Sequence, residues 1–244
     1  MSKVITIDDV PVYVTQPKTG KVKAGLILIH EIWGLNDHIR EVSDRYANEG
    51  FIVYAPDLLS HTGMEEKASR ALQEDLFNPK TRNAVQPKIR EFMAPVMSPE
   101  FARLTDESLK RVFEQMYIDP KVNHKIGVLG FCFGGTYSYN LAVAEPRLQA
   151  AVPFYGHCDH KTDELKAIQC PILAFYGEND QTLASQLPDL ENRMSKAGVD
   201  FSYRLYSGCG HAFFNNTNQY AYNEKAAKDA WKRSNEFLNA KLTQ

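Results

Sequence analysis

Short apolar runs rich in β-branched and aromatic residues alternate with helical sequence along most of the chain, and this alternation limits the folds that the chain can adopt. Several of the runs are apolar on both faces, as buried parallel strands are. Segments with helix caps or glycine stops separate most of them. The runs are VITI, VYVT, AGLILIH, FIVYAP, KIGVLGF, AAVPFYG, CPILAFYG and FSYRLYS. The pattern predicts an α/β fold with a mainly parallel central sheet flanked by helices, in which the first two runs could form an antiparallel edge.

The length of the chain fits one domain. With 244 residues, of which 43% are hydrophobic, the chain can bury one sizeable core, and we predict a single domain over residues 1–244. Residues 58–124 differ from the rest, because they are long, polar and helical in pattern without a clear strand. We predict that this segment is a helical crossover over one end of the sheet, which could also act as a lid.

Charge and cysteine content narrow the expected partners. Lys and Arg number 28 against 30 Asp and Glu, so the formal net charge is -2, and no broad cationic field exists for nucleic acid or an anionic membrane. No secretion signal and no apolar run of membrane-spanning length is evident. We therefore expect a cytoplasmic protein, a monomer or small homo-oligomer, that acts on a small molecule. Its four cysteines lack CxxC pairing and should be free thiols.

A cysteine lies between glycines where a predicted strand passes into a predicted helix. In GFCFGG, Gly130-x-Cys132-x-Gly134 has the context of a nucleophile elbow, a sharp turn that exposes a reactive side chain. Small neighbours would be needed because the strand and helix backbones pass so close together. The following helix N-terminus would favour a thiolate. A tight turn with an inert cysteine is the alternative, and the motif alone does not decide between the two.

An acid and a histidine follow in the order that such an elbow requires. Asp180 closes CPILAFYGEND after a buried strand, and His211 follows the last predicted strand in YSGCGHAFF. Each could instead be an ordinary loop residue, and Glu178 is a second candidate for the acid. The order and the strand-end positions together favour a catalytic triad of Cys132, Asp180 and His211.

A second group of candidate residues follows the strand in LILIHEIWGLNDH. The backbone N–H groups of Ile32 and Phe133 are our candidates for an oxyanion hole. The aromatic residues Trp33 and Phe131 are candidates for substrate binding, although aromatics near strand ends are more often core. Glu31 adjoins a buried strand end, where an acid needs a partner; a salt-bridged loop glutamate is the alternative.

Together, HEIWGLNDHIR, YAPDL, GFCFGG, YGENDQ and GHAFFN resemble the dienelactone hydrolase family of α/β-hydrolases over nearly the whole chain. The resemblance implies that Cys132 is the nucleophile, His211 the general base and Asp180 the residue that orients it. It also implies that Glu31 accepts the thiol proton when substrate enters. A carboxylate beside the thiol would disfavour the thiolate until substrate displaces it.

The resemblance implies hydrolysis of an ester or lactone through a thioester, without a metal or organic cofactor. Family members that act on dienelactone hold its carboxylate with arginines, one of them shortly after the histidine, whereas AFFNNTNQYAYN contains no arginine. Asparagines can hydrogen-bond a substrate there but cannot neutralise its charge. Arginines that could take over this role lie within 58–124, although each is more typical of a solvated helix face: Arg82, Arg90, Arg103 and Arg111.

Two other readings of the sequence remain open. GHCDHKTDE brings four metal-ligand residue types together, but adjacent residues rarely bind one ion, and no distant ligands complete a site. Alternatively, the fold could serve as a non-catalytic ligand-binding or redox-sensing protein, with Cys209, close to His211, as a partner thiol for Cys132.

Overall fold

The eight apolar runs are all strands of one sheet. The computed structural model describes residues 2–62 and 66–243, with the backbone alone for 66–69. In these residues the strand order is β1-β2-β4-β3-β5-β6-β7-β8. The strands are β1 (Ser2–Ile7), β2 (Val10–Thr15), β3 (Ala24–Ile29), β4 (Phe51–Pro56), β5 (Ile126–Phe131), β6 (Ala150–Phe154), β7 (Ile172–Gly177) and β8 (Phe201–Tyr206). The predicted α/β class is confirmed.

The sheet is antiparallel at one edge and parallel elsewhere. β1 pairs with β2, and β2 with β4, in antiparallel register, while the remaining neighbours are parallel. Every residue of β3, β4, β5 and β6 is buried, because helices cover both faces of these central strands. The carboxyl ends of the parallel strands lie at one edge, so the loops that follow β3, β5, β6, β7 and β8 meet there.

Helices occupy the segments between the strands. They are α1 (Asp37–Asn48), α2 (Glu66–Phe77), α3 (Arg82–Met93), α4 (Pro99–Tyr117), α5 (Phe133–Ala144), α6 (Thr162–Leu165), α7 (Gln181–Ala184), α8 (Leu187–Ala197) and α9 (Glu224–Leu242). The segment LASQLPDLENRMSKAG is divided between α7 and α8. Pro188 lies in the first turn of α8, where a proline is tolerated because its missing N–H would have no helical partner. None of the helices in the described ranges is long and apolar enough to cross a membrane.

Helices α2 to α4 cover the loops that follow β3 and β5. Apolar residues of these helices and of nearby loops form a second cluster, separate from the main core, made of Trp33, Leu59, Phe92, Val96 and Phe101. The side chains of Ile32 and Phe133 pack against this cluster. The helical segment therefore contacts the residues that flank the elbow, while Leu109, Val112, Phe113 and Met116 of α4 join the main core.

Backbone packing at the elbow leaves no room for side chains. A Cβ atom on Gly130 would lie 2.1 Å from the carbonyl oxygen of Gly134, and one on Gly134 would lie 2.2 Å from that of Ile29. On the other side, a Cβ on Gly135 would lie 2.4 Å from the carbonyl oxygen of Phe154. The glycines of GFCFGG thus let α5 begin directly against β3 and β6.

Replacing Gly134 by alanine is expected to lower the free energy of unfolding by roughly 1–3 kcal/mol, because the new methyl group must displace backbone atoms. Gly210→Ala is the control, since its Cβ would meet nothing within 4 Å. Urea denaturation of both variants measures the effect. Equal midpoints for the two variants would show that the close approach does not constrain the fold.

Candidate active site

The backbone of Cys132 is strained and firmly held. Its φ of 55° and ψ of -110° lie in a region that residues with side chains rarely adopt. The Cys132 N–H donates to the carbonyl oxygen of Phe154 at 3.0 Å, and the Gly134 N–H donates to that of His30 at 3.1 Å. These bonds tie the turn to the strands on both sides. Cys132 remains partly exposed at the first turn of α5.

His211 lies between Cys132 and Asp180. Its Nδ1 is 2.6 Å from Oδ2 of Asp180, which identifies Nδ1 as the donor, and its other hydrogen-bonding neighbour is the Cys132 sulfur. Burial opposes the protonated form of His211, but the Cys132 sulfur and the Asp180 carboxylate together raise its pKa to about 10. A protonated His211 is therefore favoured beside an ionised Cys132, which is the pair that forms when the thiol proton passes to His211.

Glu178, the other candidate acid, is engaged elsewhere. Its carboxylate accepts hydrogen bonds from the Ser207 hydroxyl at 2.6 Å and from the Gly208 N–H at 3.2 Å. Both donors belong to the turn after β8, and Glu178 itself is exposed. The geometry therefore pairs His211 with Asp180.

Glu31 is a buried carboxyl group among neutral partners. Only 2% of its surface is exposed. Asn215 donates to Oε2 at 2.6 Å, and the Tyr155 hydroxyl approaches Oε1 at 3.5 Å. Burial outweighs these bonds and the charge of His211, and it raises the pKa of Glu31 to about 7. Asn215 and Tyr155 are the hydrogen-bond donors to the Glu31 carboxyl among the described residues, so its predicted contact with the thiol stays a prediction.

The sequence analysis did not single out Tyr155 and Asn215. Tyr155 has a φ of 38° at the end of β6, and its ring centroid lies 5.1 Å from that of His211. Asn215 also accepts from the N–H and the hydroxyl of Thr217 at 3.0 and 2.7 Å. Tyr155 lies just beyond β6 and Asn215 lies shortly after His211, and these positions were the available signal in the sequence. Nothing in the sequence indicates that both side chains bind Glu31.

The two amides expected to form the oxyanion hole lie on neighbouring loops. Phe133 is the first residue of α5, where an N–H has no helical acceptor. Ile32 lies within the turn in which the Gly34 N–H donates to the Glu31 carbonyl. Across the described chain, neither amide appears as a donor in a protein hydrogen bond. Both are therefore available to a substrate oxygen.

The two aromatic candidates for substrate binding lie in different surroundings. Trp33 is part of the second cluster, with its ring 6.1 Å from those of Phe77 and Phe92. Phe131 has no exposed surface, and its ring packs against Phe154 and Phe214 at 4.7 and 5.1 Å. Phe131 is thus packed in the core in this structure, and its expected contact with substrate stays a prediction.

The arginines of the helical segment make contacts elsewhere. Arg103 pairs with Glu100 and Glu107 on its own helix, and Arg111 pairs with Asp8. Arg82 donates to the carbonyl oxygen of Leu76. These contacts are typical of solvated helix faces. They do not bring any of the three side chains next to Cys132.

The residues that suggested a metal or a thiol partner are also engaged elsewhere. His160 is 2.9 Å from the side-chain oxygen of Asn140, and Arg193 donates to the carbonyl of Cys158. Within residues 2–62 and 66–243, no group of three or more His, Cys, Asp or Glu side chains is arranged to hold a metal. All four cysteines are free thiols, and Cys209 is buried in a cleft beside Tyr206 and Asp229.

Comparison with known proteins places this arrangement in a family. The model of the dienelactone hydrolase family matches residues 10–242. The chain belongs to the dienelactone hydrolase family. It is 34% identical over 238 residues to Protein usf of Aquifex pyrophilus, with 95% of this chain and 93% of that protein covered. It is 33% identical over 233 residues to the "Putative carboxymethylenebutenolidase" of Saccharolobus solfataricus, with 88% and 89% covered.

A solved structure shows the same fold. The crystal structure named "Putative Dienelactone Hydrolase" from Klebsiella pneumoniae superposes with a TM-score of 0.80, at 22% identity, over 100% of this chain and 98% of that one. As a member of the dienelactone hydrolase family, the chain is a hydrolase of the ester and lactone class.

The raised pKa of Glu31 predicts how stability depends on pH. Because the pKa rises from 4.5 to about 7 on folding, the stabilisation is fully present below pH 4.5 and is lost as the pH rises through 7. Relative to Glu31→Gln, whose side chain does not titrate, the wild type should lose roughly 3 kcal/mol of unfolding free energy between about pH 4 and pH 8.

Urea unfolding at a series of pH values measures this difference, with Glu191→Gln as the control at an exposed helix position. A difference between wild type and Glu31→Gln that stays constant with pH would contradict a raised pKa for Glu31.

Proposed function

We propose that this member of the dienelactone hydrolase family uses Cys132 as a nucleophile and hydrolyses esters or lactones of uncharged acids through a thioester. The observation that carries the proposal is the position of His211, which contacts the Cys132 sulfur on one side and the Asp180 carboxylate on the other. This is the relation that a thiol needs for activation, because the thiolate, not the thiol, attacks carbonyl carbon.

In the first half of the reaction the thiol proton passes to His211. The sulfur attacks the substrate carbonyl carbon, and the carbonyl oxygen becomes an oxyanion that accepts hydrogen bonds from the amides of Ile32 and Phe133. The bond to the leaving oxygen breaks as His211 returns the proton to the departing alkoxide. The products are an alcohol, or the opened ring of a lactone, and a thioester on Cys132.

Water completes the reaction. His211 is now neutral, and its free nitrogen takes a proton from a water molecule that attacks the thioester. A second oxyanion forms in the same position, the thiolate leaves, and the carboxylic acid product is released. Asp180 stays ionised throughout, because its hydrogen bond with His211 outweighs burial and lowers its pKa. Its role is to hold the ring of His211 and to stabilise the positive form.

The charges around the site favour a neutral acyl group. Asn215, His211 and Tyr155 are the groups that act on Glu31, and only His211 among them can be positive. That positive charge already faces Asp180 and Cys132. A substrate carboxylate would therefore meet Glu31 and Asp180 without a cation of its own, which costs free energy in a partly buried site.

The alternative function is a non-catalytic ligand-binding or redox-sensing protein. Cys209 is buried, and all four cysteines are free thiols. Cys132 therefore has no disulfide partner in this conformation. Turnover separates the two functions, since a sensor binds or oxidises without releasing product.

The nucleophile assignment predicts loss of hydrolysis of p-nitrophenyl butyrate in Cys132→Ala, by at least about 1,000-fold in kcat. Cys170→Ala should retain the wild-type rate, because Cys170 is buried outside the site. Rapid acid quenching and mass spectrometry of the wild type should detect a butyryl adduct on the peptide that contains Cys132. Equal turnover by wild type and Cys132→Ala would overturn the proposal, and so would an adduct on another residue.

The neutral-substrate assignment predicts a preference between two isosteric esters. The p-nitrophenyl ester of 4-methylpentanoic acid should have a kcat/KM about tenfold or more above that of mono-p-nitrophenyl succinate, which carries a carboxylate in place of the branched end. Added salt should narrow the gap by screening the repulsion. A faster succinate ester would show that the site holds a cation for the acyl group.

A further inference from the structure

His30 is a fully buried histidine whose two ring nitrogens are both bound. It follows the last residue of β3, and none of its surface is exposed. Its Nδ1 lies 2.6 Å from the carbonyl oxygen of Glu31, and its Nε2 accepts a hydrogen bond from the N–H of Leu58 at 3.0 Å. A carbonyl oxygen can only accept and an amide N–H can only donate, so Nδ1 carries the proton. Burial outweighs the nearby Asp57 carboxylate and lowers the pKa of His30, which agrees with this neutral form.

The bond from Nδ1 acts on the peptide group that links Glu31 to Ile32. A trans peptide group is planar, and its C=O and N–H point in opposite directions; no cis peptide bond occurs in the described residues. The Glu31 carbonyl oxygen accepts from His30 Nδ1 at 2.6 Å and from the Gly34 N–H at 3.1 Å. The direction of the Ile32 N–H is therefore set by two donors on the opposite side of the same peptide group.

Rotation of this peptide group would remove the Ile32 donor. Turning it over would break both bonds to the Glu31 carbonyl oxygen and would bring that oxygen to the side on which the N–H now lies. A carbonyl oxygen in that place would repel an oxyanion, whereas an N–H stabilises it. Of the two bonds that prevent the rotation, the one from His30 is the shorter, and it is the one that a side chain provides.

His30 also contacts the other half of the expected oxyanion hole. Its ring stacks on that of Phe133, with the centroids 5.6 Å apart and the planes 10° from parallel. Its own carbonyl oxygen accepts from the N–H of Gly134 at 3.1 Å. His30 therefore acts on both residues whose amides are the candidate donors, and it does so from the end of a central strand that is buried along its whole length.

We propose that His30 is a positioning residue of the oxyanion hole, whose Nδ1–H holds the peptide group between Glu31 and Ile32 so that the Ile32 N–H points at the substrate oxygen. The inference rests on the proposed function, because an oxyanion forms only if Cys132 attacks a carbonyl group. It gives the two bonds of the ring different roles. The Nδ1 bond supports the reaction, and the Nε2 bond to Leu58 attaches the ring to the short 3₁₀ helix after β4 and supports the fold.

The variants His30→Asn and His30→Leu form a matched pair that tests these roles. Both side chains branch at Cγ and end at the position of Nδ1, one atom short of Nε2, so both leave the Leu58 N–H without its acceptor. Only asparagine has an N–H to donate to the Glu31 carbonyl oxygen. Both variants should therefore unfold at a lower urea concentration than the wild type, but they should differ in turnover.

For p-nitrophenyl butyrate, we expect the kcat of His30→Leu to fall by about 10- to 100-fold, somewhat less than the roughly 100- to 1,000-fold cost of losing an oxyanion donor outright. KM should change by less than about threefold, because the lost interaction belongs to the transition state. His30→Asn should keep its kcat within about fivefold of the wild type, since its amide restores the Nδ1 bond alone.

A second measurement uses the wild-type protein and butyl trifluoromethyl ketone. The Cys132 sulfur adds to the carbonyl carbon, the thiol proton passes to His211, and the carbonyl oxygen becomes an oxyanion with no group to leave. A hydrogen bond from the Ile32 N–H to that oxygen polarises the peptide group and makes the Glu31 carbonyl oxygen a stronger acceptor. In protein with isotope-labelled histidine, the proton NMR signal of His30 Nδ1–H should therefore move downfield; its absence in His30→Asn assigns it.

Three results would overturn the inference. They are a His30→Leu variant with the wild-type kcat, a His30→Asn variant as slow as His30→Leu, and a wild-type Nδ1–H signal that does not move when the ketone adduct forms. The third result does not depend on the folding of His30→Leu. Failure of the proposed function is distinct, since the ketone would then form no adduct and Cys132→Ala would hydrolyse the ester as fast as the wild type.

Discussion

The contact between β5, the turn at Cys132 and α5 is the constraint on which the site depends. Glycine positions allow the first turn of α5 to lie against the carbonyl groups of Ile29 and Phe154, and two backbone hydrogen bonds fix the turn to the loops after β3 and β6. The nucleophile candidate is thus positioned by main-chain atoms. Its surroundings then follow from sheet order, because the neighbouring strands β3 and β6 deliver Glu31 and Tyr155 to either side of it.

Electrostatics divide the site into two parts. Asp180 and His211 pair next to the sulfur. The Cys132 sulfur and Asp180 together outweigh burial in raising the pKa of His211, and the bond to His211 outweighs burial in lowering the pKa of Asp180. Glu31 is close to this pair but has neutral hydrogen-bond partners, so burial decides its protonation and moves its pKa to about 7. Two carboxyl groups in one site therefore differ in charge at neutral pH, because only Asp180 is hydrogen-bonded to His211, whereas burial dominates Glu31 and leaves it partly protonated.

Much of this arrangement could be predicted from the sequence, because it depends on local patterns. Runs that are apolar on both faces indicate the central strands. The pattern Gly130-x-Cys132-x-Gly134 between a strand and a helix indicates the sharp turn at Cys132. The contacts of Asn215 and His38 could not be predicted, since they join residues 184 and 178 positions away from their partners in the chain. The complete burial of Phe131 could not be predicted either, because the sequence does not say which face of β5 is covered, and in this sheet both faces are.

Ile32 and Phe133 take part in the site in two ways, one through their main chain and one through their side chains. Their main-chain N–H groups are the proposed donors to the substrate oxygen, while their side chains pack among Trp33, Phe92 and Phe101 beneath the helices α2 to α4. Sequence change in those helices can therefore alter the angle of both amides without any change at Cys132, Asp180 or His211. In a lineage of related enzymes, the covering helices could diverge to suit new substrates while the reacting groups stay the same, so substrate range and chemistry can evolve at different rates within one chain.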